Sequence, residues 1–293
     1  MYPLKFTSIK NNPQLEGFSS WLRDITYSTA TGTELKMQIL MPWGASLPEN
    51  AEKRWPCIVF VQGSGWQFPD VTYELPQLGS VSREGYVVAT VTHRSALDGN
   101  KAPAFLEDVK TAIRFLRKNA AEYHVDPERV GMWGTSSGGN TALLVGLTAE
   151  DSAYKTAEYA EYSDAVKTVV DCFGPSDLLA MAGQKASEGN VSDENMSFLY
   201  DFLGENQEEQ LKRAALIDPI LKIVPGKKYP PFMILHGDSD DIVPYSQSEK
   251  IAKSLCENDV HTELVRVEGA SHEGSFWSNQ LLSLIEDFFR RTL

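Results

Sequence analysis

The residues in this 293-residue chain that could do chemistry together are a serine, an acid and a histidine on three separate loops. The serine is Ser136, at the apex of Gly134-Thr135-Ser136-Ser137-Gly138. An apolar run ends there and an Ala-, Leu- and Val-rich helical pattern begins at once. Turning a strand into a helix within about two residues strains the serine and leaves its hydroxyl exposed above the sheet. The helix start aims free N–H groups and a partial positive charge at the same spot. A serine hydroxyl is almost un-ionised near neutral pH, so it needs an imidazole to take its proton. The imidazole in turn needs a carboxylate to fix its tautomer and stabilise its charged form.

Of five histidines, His272 suits that task, because it follows a strand within the Gly- and Ser-rich segment Gly269-Ala270-Ser271-His272. His236, between a buried strand and a tight Gly turn, reads as a hydrogen-bonded loop anchor. His93 follows a strand and could line a site, though a structural role suits it better. His124 and His261 read as scaffold or surface. The acid lies in His236-Gly237-Asp238-Ser239-Asp240-Asp241, where pattern alone leaves Asp240 and Asp241 equal. Further carboxylates at calcium-loop spacing are missing, so a solvated turn or a catalytic acid is favoured over a metal site. Serine, acid, histidine is the chain order of one large group of hydrolytic triads. Gln62-Gly63-Ser64-Gly65-Trp66 also lies beyond a strand. Its small residues allow backbone N–H groups to approach a substrate oxygen, together with the N–H of Ser137.

The elements that must position these residues alternate between strand and helix. A hairpin is expected from 21–29 and 33–41 around Thr31-Gly32. Short apolar runs at 56–61 and 86–91 read as strands buried on both faces, and 129–133, 166–173, 232–236 and 262–267 read as further strands. Helical spacing occupies 71–84, 105–123, the stretch from Ser136 to about 149, 247–257 and 281–290. This alternation predicts an α/β protein with a mostly parallel sheet covered on both faces. Ligands on such sheets bind beyond the C-terminal ends of the strands. The irregular stretch 176–228, with helical pieces at Phe198–Leu203 and Glu208–Ala215, is the expected cap over the site in a single domain spanning 1–293.

Composition narrows the partners. A net charge of −13 argues against nucleic acid and anionic membrane. No secretory leader pattern opens the chain and no apolar run approaches the ~20 residues of a membrane span. Cys57, Cys172 and Cys256 are far apart and odd in number, which fits a reducing, cytoplasmic setting without disulfides. Oligomeric state is not encoded in any visible pattern.

Taken jointly, several motifs resemble the α/β-hydrolase superfamily, and within it the hormone-sensitive-lipase-like and bifunctional acetyl xylan/feruloyl esterase group. They are Gly63-Ser64-Gly65-Trp66, Asp126-Pro127-Glu128-Arg129-Val130, Gly134-Thr135-Ser136-Ser137-Gly138-Gly139, Phe173-Gly174-Pro175-Ser176-Asp177-Leu178, His236-Gly237-x-x-Asp240-x-x-Val243-Pro244 and Gly269-Ala270-Ser271-His272. The resemblance implies an eight-stranded hydrolase fold with a small inserted cap, and Asp240 as the acid. It implies Ser64, Gly65 and Ser137 as oxyanion-hole donors, although Gln62 and Ser64 stand where the family usually has histidine and glycine. It implies a cofactor- and metal-free serine carboxylesterase acting on small esters, either short-chain acyl, acetylated-sugar or feruloyl. An amide hydrolase, of the kynurenine-formamidase or small-peptidase kind, and a non-catalytic binding protein on the same scaffold are the rival readings. Trp66, Phe173, Phe276 and Trp277 are placed to line an acyl or alcohol pocket, and each is equally an ordinary core residue.

Overall fold

The architecture follows from apolar strands that have no solvent face. In the computed structural model the described residues are 2–181, 202–204 and 206–293. Strand β3 (Trp55–Val61) sends Cys57, Val59 and Val61 into one apolar cluster and Ile58 and Phe60 into another. Successive side chains of a strand point to opposite faces, so a continuous apolar run fills two cores at once. β5 (Val125–Thr135) divides in the same way, with Met132 on one face and Trp133 on the other.

Eight strands form one sheet in the order β1-β2-β4-β3-β5-β6-β7-β8. The remaining strands are β1 (Ser19–Ser28), β2 (Leu35–Pro42), β4 (Val87–Val91), β6 (Thr168–Cys172), β7 (Phe232–Gly237) and β8 (Thr262–Val267). β1 and β2 make the expected antiparallel hairpin, and β2 pairs antiparallel with β4. From β4 through β8 every pairing is parallel. This is the expected α/β-hydrolase arrangement.

Helices cover both faces. On one lie α2 (Ala104–Lys118), α3 (Ser137–Leu147), α4 (Gln207–Ile217) and α5 (Ser246–Glu257). On the other lie α1 (Leu75–Arg83) and α6 (Asn279–Thr292). α3 is buried along its whole length, which matches a sequence apolar on all sides. The first helix is shorter than the expected 71–84, because Pro76 seats the helix start near Leu75 and the preceding residues are turns. Of the expected cap, 182–201 and 205 lie outside the described residues, as does most of the helical piece at Phe198–Leu203. No helix among the described residues is long and apolar enough to cross a membrane.

Candidate active site

The strand-to-helix turn after β5 is held by contacts too close for any side chain. A Cβ on Gly134 would sit 1.9 Å from the Gly138 carbonyl oxygen, and one on Gly138 would sit 2.0 Å from that of Val61. Ser136 carries the strain, with φ 52° and ψ −121°. Such a conformation costs a non-glycine residue on the order of 1–3 kcal/mol and persists only where its surroundings over-determine it. Here the Ser136 N–H donates to the Cys172 carbonyl at 2.9 Å, and its own carbonyl accepts from the Asn140 N–H at 3.0 Å. In the stretch from Val130 to Thr148 only Ser136 is not buried.

His272 reaches it from the loop after β8. Its Nε2 lies 3.0 Å from Ser136 Oγ, and its Nδ1 lies 2.7 Å from Asp240 Oδ2. A carboxylate can only accept, so Nδ1 carries the proton and Nε2 is free to accept from the serine hydroxyl. Phe173, at the end of β6, supports the imidazole edge-on with ring centroids 4.6 Å apart.

The loop after β7 resolves which acid meets His272. The Asp240 side chain is fully buried and receives four donors. The N–H groups of Ile242 and Val243 reach Oδ1 at 2.9 and 2.8 Å, while His272 and His236 reach Oδ2. Burial alone would raise its pKa; the hydrogen bonds from His236 and His272, the charge His272 carries when protonated and the Val243 N–H outweigh it. Asp240 is therefore held well below the usual carboxylate range. Asp238 instead accepts the Gly269 N–H at 2.6 Å and ties the β7 and β8 loops together.

His236 has a place in this site that its loop-anchor reading only partly anticipated. Its Nε2 lies 2.9 Å from the Val243 carbonyl and 3.2 Å from Asp240 Oδ2, so it donates to both. Its Nδ1 accepts from the Ser248 hydroxyl at 2.6 Å. His236 thus steadies the acid from behind. His93 is buried, donates to the Arg94 carbonyl, and burial pushes its pKa down to about 4, so it is a neutral scaffold residue.

The Gln62–Trp66 loop lies against the serine turn. The Gly63 N–H donates to Thr135 Oγ1 at 2.8 Å. The Gln62 side chain, in place of histidine, accepts from the Asp70 N–H at 2.6 Å. Ser64 Oγ donates to the Gln67 carbonyl at 2.7 Å and closes a turn. Of the three expected oxyanion donors, the Ser64 N–H is already engaged, by Ser137 Oγ at 2.9 Å. The Ser137 N–H is at the open start of α3, and no acceptor among the described residues takes up the Gly65 N–H. Among the described residues two of the expected donors are thus without an acceptor, and the third is occupied by the side chain of Ser137.

A Cβ at Gly63 would meet Ser136 Cβ at 2.6 Å and the Thr135 carbonyl oxygen at 2.9 Å. Gly63→Ala is expected to displace the serine or the loop by a fraction of an ångström and lower kcat about 100-fold, in a protein that still folds. Steady-state kinetics beside a thermal melt checks this, and wild-type kcat would contradict the close approach.

The four aromatic candidates separate. Phe173 and Phe276 are fully buried and pack against each other at 4.8 Å, so they back His272 as core residues and do not form an open wall. Trp66 is buried and stacks on Phe202 at 4.9 Å. Trp277 is half-buried and lines a cavity beside the site.

With this geometry in view, comparison with known proteins is informative. The sequence matches the family described as BD-FAE over residues 45–255, more than half of the chain. The chain belongs to the BD-FAE family. The matched BD-FAE region holds the Gln62–Trp66 loop, Ser136 and Asp240 and ends before His272, which the fold supplies. Esterase LipC of Mycobacterium tuberculosis is 29% identical over 209 residues, covering 68% of this chain and 48% of LipC. The chain spans about half the length of the curated relatives it matches. A truncated carbohydrate esterase from gut microbiota superposes with a TM-score of 0.77 at 25% identity, covering 96% of this chain and 99% of that one. The bifunctional GH43-CE protein of Bacteroides eggerthii gives 0.78 at 29% identity, covering 93% of this chain and 35% of that one.

Proposed function

We propose that this protein is a serine carboxylesterase of small esters. The observation that carries the reading is His272, which bridges Ser136 Oγ at 3.0 Å and the buried, ionised Asp240 at 2.7 Å. In the reaction Ser136 Oγ attacks the ester carbonyl carbon as its proton passes to His272 Nε2. The carbonyl oxygen becomes an oxyanion facing the N–H groups of Gly65 and Ser137, with that of Ser64 available if the Ser137 hydroxyl turns away. His272 returns its proton to the leaving alkoxide, which departs as alcohol and leaves an acyl-serine. Water, deprotonated by His272, then releases the acid and restores the serine. No metal or organic cofactor enters this sequence.

Short-chain acyl esters are the proposed substrates, acetylated sugars before hydroxycinnamates such as feruloyl esters. Two solved structural neighbours described as carbohydrate esterase or CE support the sugar alcohol. The expected result is a kcat/KM for nitrophenyl acetate about tenfold or more above that for the octanoate, since even one unaccommodated methylene costs about 1–3 kcal/mol. A panel from acetyl to octanoyl esters, with acetylated xylose and methyl ferulate, reads this directly. A maximum at octanoyl, or faster turnover of a formyl amide than of any ester, would overturn the assignment.

A further inference from the structure

Beside the triad, on the α1 and α6 face of the sheet, lies a cavity of about 250 Å³ whose chemistry the ester reaction does not use. Its walls include the rings of Tyr73, Trp133 and Trp277 and the side chains of Glu74, Gln77 and Glu273. The lining contains no lysine or arginine. Glu74 is only 7% exposed, and its carboxylate forms no ion pair with any lysine, arginine or histidine among the described residues. The Gln77 Oε1 is buried without a hydrogen-bond partner among the described residues. Glu273 directly follows His272 and sits at φ 62°, a region unfavourable for a residue with a side chain. Its carboxylate accepts the Trp277 indole N–H at 2.8 Å.

Two carboxylates and a lone amide oxygen, enclosed by aromatic rings, leave one thing unsatisfied: positive charge. A buried carboxylate is costly unless paired, and the faces of aromatic rings attract cations. We propose that this cavity binds a small organic cation, an ammonium head group that pairs with Glu74 and Glu273 and rests against the surrounding rings. A metal ion fits the lining poorly, because only two of its residues are of the His, Cys, Asp or Glu kind, and no group of three such residues among the described residues is placed to hold one. A neutral polyol would leave the carboxylates uncompensated.

Proton linkage gives the site a signature. Burial, the Glu273 charge facing it from the loop after β8, and the Asp70 charge from the segment before α1 push Glu74 up to about 8. A cation must therefore displace a proton from Glu74 when it binds below that pH. Affinity is expected to rise with pH and to level off above the Glu74 pKa.

The site does not depend on the esterase assignment, because binding is read without turnover. Calorimetry on the intact protein compares choline with its uncharged isostere 3,3-dimethylbutan-1-ol. Choline is expected to bind about tenfold more tightly at roughly pH 8.5, and about tenfold or more weakly at roughly pH 6.5 than at 8.5. Glu74→Gln should bring the two ligands together and remove the pH dependence, with its melting temperature reported alongside. If that variant does not fold, the wild-type comparison still decides. Equal affinity for the two ligands, no saturable choline binding, or an unchanged preference in folded Glu74→Gln overturns the proposal.

The same chemistry has two sources, a free amine or a cationic group carried by the substrate. Acetylcholine turned over faster than 3,3-dimethylbutyl acetate, with the advantage lost in Glu74→Gln, assigns the cation to the substrate. Choline binding without such an advantage assigns it to a free ligand.

Discussion

Ser136→Ala is expected to lower kcat for a short nitrophenyl ester about a millionfold while leaving the fold in place. The magnitude follows from the chemistry, since without Oγ no acyl-enzyme can form and only the oxyanion donors and substrate positioning remain. The fold should survive because the turn is held by its backbone, through the bonds to Cys172 and Asn140 and the close passage of Gly134 and Gly138. The variant loses only the hydroxyl contact to His272, so its stability should lie within about 1 kcal/mol of wild type. Alanine keeps the strain at φ 52°, whereas Ser136→Gly would relieve it. The glycine variant should therefore be equally inactive but at least as stable as the alanine one. A serine-reactive organophosphate should add one label to wild type, seen as a mass increase, and none to either variant. Near-normal turnover by Ser136→Ala would remove the serine mechanism altogether.

The parts of this molecule most visible in its sequence are those imposed by the backbone. Apolar runs such as Cys57–Val61 and Met132–Trp133 can serve only in a sheet covered on both faces, so the strand order of events along the chain was legible. The serine turn was legible for the same reason, because Gly134 and Gly138 are required by contacts near 2 Å. What could not be read are relations among side chains that depend on loop conformation. Asp240 and Asp241 are adjacent and chemically alike. Only the fold shows that the Ile242 and Val243 N–H groups and two imidazoles converge on the first. The capture of the Ser64 N–H by Ser137 Oγ is of the same kind, a short contact between a loop and the start of α3, 73 residues apart. Aromatic identity left Phe173 and Phe276 open between pocket wall and core, and the fold places their rings in the core behind His272. His236 could have been suspected of a closer link to the acid, since His-Gly-x-x-Asp places both on one tight turn.

That turn makes Asp240→Asn the second severe substitution, with kcat expected to fall about 10,000-fold. Both carboxylate oxygens are acceptors facing N–H donors, two from the backbone and two from imidazoles. An asparagine has one oxygen and one NH2, so one pair of donors must face another donor. If NH2 faces the imidazoles, His272 is driven to carry its proton on Nε2 and can no longer accept from Ser136. If NH2 faces the backbone, the Ile242–Val243 turn opens and the asparagine side chain shifts away from His272. Either outcome also costs stability, on the order of 1–3 kcal/mol for a buried donor left unpaired. Asp238→Asn, one turn away and bonded to the Gly269 N–H, should change kcat by less than about tenfold. The pH dependence of the stability loss separates charge from shape. Because Asp240 is held well below the usual carboxylate range, its contribution is present above its unfolded pKa of about 3.9 and is lost as pH falls further. The stability gap between wild type and Asp240→Asn should therefore be constant near neutrality and narrow only below roughly pH 4. Urea melts at several pH values measure that gap. A gap unchanged into strong acid would mean that Asp240 acts there through shape, and a kcat close to wild type would transfer the role of acid to another residue.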